Sequence, residues 1–178
     1  MTPRTIAITG ASGLIGTALA SHLTAKGDRV VRFVRSGASS TDIIAWNPAE
    51  GRIDGDRLRG VDAVVHLAGA GIGDKRWTDD YKREILESRT KSTALLASTM
   101  AGLSDGPKVL LSGSAIGIYG ESLTTEFDET SPAGDGFLAD VCVQWERGAD
   151  AAIDAGIRTV FLRTGIVLSP KGGALKKQ

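Results

Sequence analysis

Short apolar runs alternate along the chain with longer stretches in which apolar residues recur at helical spacing. The short runs predict strands at about residues 5–9, 29–34, 43–46, 61–67, 108–112 and 158–163. The longer stretches predict helices at about residues 13–26, 79–100 and 137–155. Buried strands joined by helical crossovers form parallel sheets. The pattern therefore predicts an α/β fold, a doubly wound parallel sheet of the Rossmann type in three α/β/α layers.

The first predicted strand ends in a glycine-rich turn that leads directly into the first predicted helix. Gly10, Gly13 and Gly16 are spaced three residues apart in this turn. Glycines permit the turn and let the main chain approach a ligand closely, while free N–H groups and the helix dipole face an anion. This arrangement holds the pyrophosphate of a dinucleotide, so we expect a dinucleotide site at Gly10, Gly13 and Gly16.

The end of the second predicted strand indicates which dinucleotide is bound. A carboxylate about twenty residues beyond the glycine turn would pair with the ribose of NAD, and none stands there. The strand leads instead into Arg35 and Ser36. A guanidinium and a hydroxyl suit a 2′-phosphate, so the prediction is NADP(H). The alternative is an ordinary exposed arginine at a strand end.

Small and hydroxyl residues follow three further strands. They are Leu67-Ala68-Gly69-Ala70, Ser112-Gly113-Ser114-Ala115 and Thr164-Gly165. Ligands of open α/β sheets bind beyond the carboxyl ends of the strands, so we expect these segments to line one crevice with the glycine turn. Arg163 and Thr164, at the end of the last strand, are assigned to the cofactor site on the same basis.

Composition excludes several classes of protein. The 178 residues carry 21 Lys plus Arg and 21 Asp plus Glu, so no global field favours a nucleic acid or a membrane surface. No apolar run approaches a membrane span and no signal peptide is recognised, which favours a cytoplasmic location. Cys142 is the single cysteine and is expected to pack rather than react. His22 and His66 have no metal-ligand spacing, so no metal site is expected.

Several motifs resemble the extended short-chain dehydrogenase/reductase superfamily, namely residues 10–16, 66–69 and 114–120. Further stretches resemble its atypical "epimerase family" group, which is often described as sugar-nucleotide epimerases: Arg76-Trp77-Thr78, Ser88-Arg89, Phe137-Leu138-Ala139, Trp145-Glu146 and residues 162–168. The resemblance covers nearly the whole chain. It implies an NADP-binding fold with these residues near the cofactor: Gly10, Ser12, Gly13, Leu14, Ile15, Arg35, Ser36, Leu67, Ala68 and Gly69.

The chain departs from the superfamily at its catalytic pair. Active members carry a Tyr and, four residues later, a Lys that lowers the pKa of the phenol, so that the Tyr can exchange a proton with substrate. Aligned on Trp145-Glu146, these positions are Phe137 and Val141, and neither side chain transfers a proton. The serine partner of the family is retained as Ser114. Tyr119 is the other candidate catalytic residue, although no lysine lies near it in sequence.

The resemblance also predicts the division into domains. Residues 1–170 are expected to form the NADP-binding domain. Residues 171–178 are expected to begin a C-terminal substrate lobe that family members carry and this chain lacks. An unpaired last strand and an uncovered apolar crevice would then favour association with another chain, for example as a homo-oligomer.

Three hypotheses follow for function. The first is an NADP-dependent oxidoreductase or epimerase that acts on a sugar nucleotide or a similar polar carbonyl compound by hydride transfer at the nicotinamide. The second is a non-catalytic NADP(H)-binding sensor or regulatory protein, which would explain why the Tyr/Lys pair is replaced by Phe137 and Val141. The third is a truncated domain whose cofactor site is vestigial.

Overall fold

The computed structural model describes residues 2–35 and 40–173. The main strands are β1 (Thr5–Thr9), β2 (Arg29–Val34), β3 (Ile43–Asn47), β4 (Arg52–Ile53), β5 (Ala63–His66), β6 (Val109–Ala115) and β7 (Arg158–Thr164). A small hairpin follows, formed by β8 (Leu168–Ser169) and β9 (Gly172–Gly173). The helices are α1 (Leu14–Ala25), α2 (Asp79–Ala101), α3 (Phe137–Arg147) and α4 (Asp150–Asp154). Single 3₁₀ turns cover Pro48–Glu50, Gly55–Leu58 and Ile116–Tyr119.

The seven main strands form one sheet in the order β4-β3-β2-β1-β5-β6-β7. All neighbours are parallel except β4, which pairs antiparallel with β3. The parallel strands therefore follow the doubly wound order, and the direction of winding reverses between β1 and β5. This confirms the predicted fold class. The reversal places the carboxyl ends of β1 and β5 side by side, where ligands of such sheets bind.

Alternate residues of β1 divide the core between the two faces of the sheet. Ile6 and Ile8 belong to a cluster with Ala20 of α1 on one face. Ala7 belongs to a second cluster with Leu96 and Met100 of α2 on the other. Each face of a buried parallel sheet needs such a helical cover, and this gives the three layers that the sequence pattern predicts.

The helix predicted over residues 137–155 is two helices in the structure. It breaks after Arg147, where Gly148 packs close to α2: a Cβ at Gly148 would lie 3.1 Å from the side chain of Thr93. The sequence pattern also misses β4, because two residues are too few for a periodic signal. Within residues 2–35 and 40–173, no helix is long and apolar enough to cross a membrane.

Candidate functional site

The glycine turn connects β1 to α1, and two of its positions have no room for a side chain. Gly10 has φ +64°, and a Cβ there would lie 2.9 Å from the main chain of Leu67 at the end of β5. A Cβ on Gly16 would lie only 2.2 Å from the carbonyl oxygen of Gly10. The same oxygen accepts a hydrogen bond of 2.9 Å from the N–H of Gly13. The turn is therefore compact because both positions lack a side chain.

The first turn of α1 is open towards the carboxyl end of the sheet. Gly13 is the N-cap, no side chain of residues 2–35 or 40–173 caps the helix, and the first turn contains no acidic residue. Ser12 and Ile15 are exposed and Leu14 is half-buried. Unsatisfied N–H groups and the positive end of the helix dipole attract an anion at such a terminus.

A buried hydrogen-bond chain joins the ends of β1 and β5. The Thr9 hydroxyl oxygen accepts the N–H groups of Leu67 at 2.9 Å and Ala68 at 3.1 Å. It lies 2.7 Å from Nδ1 of His66, so its own hydrogen is donated to that nitrogen. The hydroxyl thereby holds the main chain of Leu67 and Ala68 in place next to the glycine turn.

The series of hydrogen bonds continues from His66 into helix α2. The imidazole is fully buried, and burial lowers its pKa to about 4, so it is neutral at physiological pH. With Nδ1 accepting from Thr9, the ring hydrogen lies on Nε2 and is donated to the Ser92 hydroxyl at 3.1 Å. Ser92 in turn donates to the carbonyl of Ser88 at 2.6 Å. His66 is thus fully hydrogen-bonded beside the crevice.

The predicted phosphate-binding residues lie at the end of β2. Arg35 follows the last residue of the strand and is exposed to solvent. Arg32, within the strand, is exposed as well. Ser36 lies outside the described residues.

The carboxylate of Glu146 connects three predicted site residues, Ser114, Tyr119 and Arg163. The sequence analysis gives Glu146 no role. Glu146 of α3 accepts two hydrogen bonds of 2.9 Å from Arg163 and one of 2.6 Å from the Ser114 hydroxyl. Arg163 also donates to the Tyr119 hydroxyl at 2.8 Å. The guanidinium pKa is raised, chiefly by the bonds to Glu146. Thr164 is exposed and donates its hydroxyl hydrogen to the Ser114 carbonyl at 3.2 Å.

Phe137 and Val141 pack against apolar neighbours. Val141 is buried in a cluster with Tyr81 and Ile85 of α2. Phe137 packs against this cluster and makes an edge contact with the Trp77 ring, with 5.4 Å between centroids. Both side chains therefore have a packing role, and neither carries a transferable proton.

Arg89 of α2 is a second group that has no role in the sequence interpretation. A Cβ on Gly69 would lie 3.3 Å from its guanidinium carbon, and the guanidinium lies over the Trp145 ring, 5.0 Å from its centroid. Burial lowers its pKa. It donates to the carbonyl of Ile85, and it forms no ion pair with any carboxylate in the described ranges. A half-buried cation without a carboxylate partner therefore lies beside the strand end at Gly69.

Two further side chains complete this part of the molecule. Trp145 is buried, and its Nε1 has no hydrogen-bond partner among the described residues. Cys142 is buried, and desolvation raises the pKa of its thiol, which disfavours the nucleophilic thiolate. The described ranges contain no group of three or more metal-ligating side chains.

The strand order and the glycine turn define a Rossmann-type nucleotide-binding fold. The sequence model of the NAD dependent epimerase/dehydratase family matches residues 6–171. The chain therefore belongs to this family, which confirms the resemblance to short-chain dehydrogenase/reductase epimerases.

Similar proteins agree with this assignment. An epimerase family protein of Mycobacterium bovis is 41% identical over 172 residues, which cover 97% of this chain and 56% of that protein. The crystal structure of human epimerase family protein SDR39U1 with NADPH is 34% identical, with a TM-score of 0.82 over 97% of this chain and 57% of the other. A nucleoside-diphosphate sugar epimerase from Corynebacterium glutamicum is 39% identical, with a TM-score of 0.86 over 99% of this chain and 37% of the other. The chain spans about half the length of the curated relatives it matches.

Proposed function

We propose that the protein binds NADP(H) and catalyses hydride transfer between the nicotinamide and a polar carbonyl compound or sugar nucleotide. The observation that carries the proposal is the uncapped N-terminus of α1, which Gly16 packs against the Gly10 carbonyl while Gly10 packs against the main chain of Leu67 at the end of β5. A dinucleotide's pyrophosphate would bind here because the uncapped N–H groups and the positive end of the helix dipole attract an anion, and the two glycines let the turn close without a side chain. When bound, the nicotinamide would supply or accept the hydride.

The proposed cofactor site extends from the glycine turn along neighbouring strand ends. Arg35 would pair with the 2′-phosphate because it is exposed beyond β2. Arg89 supports the proposal, since a half-buried cation beside Gly69 can be neutralised by an anionic ligand. The NADPH in the human relative's structure is consistent with this choice of cofactor. The complete proposed set is Gly10, Ser12, Gly13, Leu14, Ile15, Gly16, Arg35, Ser36, Leu67, Ala68, Gly69, Arg89, Arg163 and Thr164.

Ser114 and Tyr119 are the proposed groups that handle the substrate oxygen. Both lie at or just beyond the carboxyl end of β6, and they are connected through Glu146 and Arg163. Residues 1–170 would form the nucleotide-binding unit, and a further lobe would select the substrate. The matched relatives are longer than this chain, and their additional length is sufficient for such a lobe. A cytoplasmic location and a homo-oligomeric state belong to the same proposal.

A non-catalytic NADP(H)-binding sensor is the second candidate function. The packing of Phe137 and Val141 favours it, because the usual proton-transfer pair of the superfamily is absent from those positions. The sensor would bind NADPH as tightly as an enzyme does and would convert no substrate. Binding alone therefore does not separate the two candidates.

Turnover separates the two functions. The purified protein is mixed with NADPH and a panel of aldehydes and ketones, and the absorbance of the reduced nicotinamide is followed. A parallel mixture of NADP⁺ with UDP-glucose is analysed by proton NMR for an epimerised product. A substrate-dependent change in NADPH absorbance or in the NMR spectrum supports the enzyme function if the Gly16→Ala variant does not show it. Tight NADPH binding with no change in any mixture supports the sensor.

A further inference from the structure

Arg163 uses three separate donor groups in the Glu146 network. Its Nε and Nη2 donate to the two carboxylate oxygens of Glu146, each at 2.9 Å. Its Nη1 donates to the Tyr119 hydroxyl at 2.8 Å and to the Glu129 carbonyl at 3.3 Å. Both Glu146 and Arg163 are mostly shielded from solvent, with side chains 12% and 22% exposed. A bidentate pair at this depth fixes the plane of the guanidinium, so Nη1 has a defined direction.

The direction of each hydrogen bond follows from what these groups can donate. A guanidinium has no acceptor, so the Tyr119 oxygen accepts from Arg163 and its own hydrogen remains for another partner. None of the described residues accepts that hydrogen. The Ser114 hydroxyl donates its hydrogen to Glu146 at 2.6 Å, which leaves its lone pairs for a ligand. The network therefore presents one donor, Tyr119, and one acceptor, Ser114.

We propose that Arg163, anchored by Glu146, is the positioning residue that makes Tyr119 the proton-transfer group. This inference rests on the proposed function and names its acid–base residue. The cation that the superfamily supplies from a lysine on the helix would come here from strand β7. Its partner would be a phenol on the loop after β6 rather than one at the Phe137 position.

The proton moves between Tyr119 and the oxygen of a carbonyl substrate. As the carbonyl carbon gains a hydride from a reduced nicotinamide, its oxygen forms an O–H bond with the proton that leaves Oη of Tyr119. The carbonyl is reduced and the nicotinamide oxidised, and water returns a proton to the phenolate. Arg163 stabilises the phenolate while it exists, because the contact becomes an ion-assisted hydrogen bond. Ser114 accepts a hydrogen bond from a neighbouring substrate hydroxyl.

The surroundings of Tyr119 hold its ring and leave room for a ligand. The ring stacks on Phe127 with 5.3 Å between centroids and 8° between planes. Both rings border an open depression of about 820 Å³.

Tetranitromethane nitration tests the contact without any nucleotide or substrate. The reagent attacks the ionised phenol, so the rate of nitration of Tyr119, followed by peptide mass spectrometry, reports how far Arg163 stabilises that form. Arg163→Met is expected to slow nitration of Tyr119 about tenfold, the effect of losing one charge-assisted hydrogen bond. Arg158→Met, at the exposed start of the same strand, is the matched control and should leave the rate unchanged.

The buried Tyr81, 4% exposed, reports folding in the same digest and should stay unreactive. Equal rates in the wild type and a folded Arg163→Met variant would overturn the proposal. If Tyr81 becomes reactive in that variant, Arg163→Lys decides, because lysine lacks the planar fork that holds Glu146 and reaches Tyr119 together. Slower nitration in Arg163→Lys supports the proposal, and a wild-type rate overturns it. A failure to bind NADPH would refute the proposed function but would not change these rates.

Discussion

Thr9 donates its hydroxyl hydrogen to Nδ1 of His66 across 2.7 Å, and this bond joins the two strands between which the sheet reverses its winding. Both residues are fully buried. The same hydroxyl holds the N–H groups of Leu67 and Ala68, where the main chain passes the glycine turn. The geometry of the proposed cofactor crevice therefore depends on a buried histidine.

Acid should weaken the fold through His66. Its pKa is about 4 in the folded protein and near 6.5 in an unfolded chain, so between these values the unfolded state binds more protons. Stability present above pH 6.5 should be lost as the pH falls towards 4, by about 3 kcal/mol. Urea unfolding across this pH range measures the slope of the free energy of unfolding against pH. His66→Gln should flatten it and the exposed His22→Gln should not; equal slopes in all three proteins would contradict the assignment.

Gly16→Ala should abolish nucleotide binding. The new methyl group would lie 2.2 Å from the Gly10 carbonyl oxygen, so either α1 moves away from β1 or the turn opens. Overpacking of this kind costs about 1–3 kcal/mol of folding stability. Gly102→Ala is the matched control, because its nearest contact would be an ordinary 3.6 Å. NADPH fluorescence titration and thermal unfolding of both variants check the prediction, and unaltered binding in Gly16→Ala would count against the site.

Glu146→Gln should destabilise the protein by about 1–3 kcal/mol, because it leaves the half-buried Arg163 without its carboxylate partner. Glu87→Gln is the comparison, since the Glu87–Lys91 pair is largely exposed and such pairs contribute little. Chemical denaturation of the two variants measures the difference. Similar unfolding midpoints would show that the Glu146 network is not a structural anchor.

Val141→Lys should lower stability by about 3 kcal/mol or more, even though it restores the residue type that the superfamily uses there. The position is 3% exposed and surrounded by Tyr81 and Ile85, so an ammonium would be buried without a partner. Gln144→Lys, on the exposed face of the same helix, should have little effect. A Val141→Lys variant with wild-type stability would mean that this helix face is more open than the structure describes.

The fold could be predicted from the sequence because its signals are local. The apolar runs of β1 and β5 and the three glycines of the turn are each contained in a few consecutive residues. The break after Arg147 was missed, because it depends on the contact of Gly148 with α2 rather than on its neighbours in sequence.

The groups around Tyr119 show what a sequence pattern leaves out. Tyr119 lacks a lysine nearby in sequence, and its cationic partner Arg163 lies 44 residues further along the chain. Only the pairing of β6 with β7 brings the two together. Glu146 was similarly visible as part of a family motif, but its bond to Ser114 spans 32 residues and no periodicity predicts it.

The most direct test of the proposed function is calorimetric titration of the protein with NADPH and with NADH, repeated on Arg35→Ala. Arg52→Ala, an exposed arginine on β4, controls for the loss of one positive charge. We predict that NADPH binds the wild type at least about tenfold more tightly than NADH, a difference of about 1.4 kcal/mol. The preference should disappear in Arg35→Ala and persist in Arg52→Ala. Equal affinity for the two nucleotides, or a preference that survives in Arg35→Ala, would contradict the assignment of NADP(H) to this site.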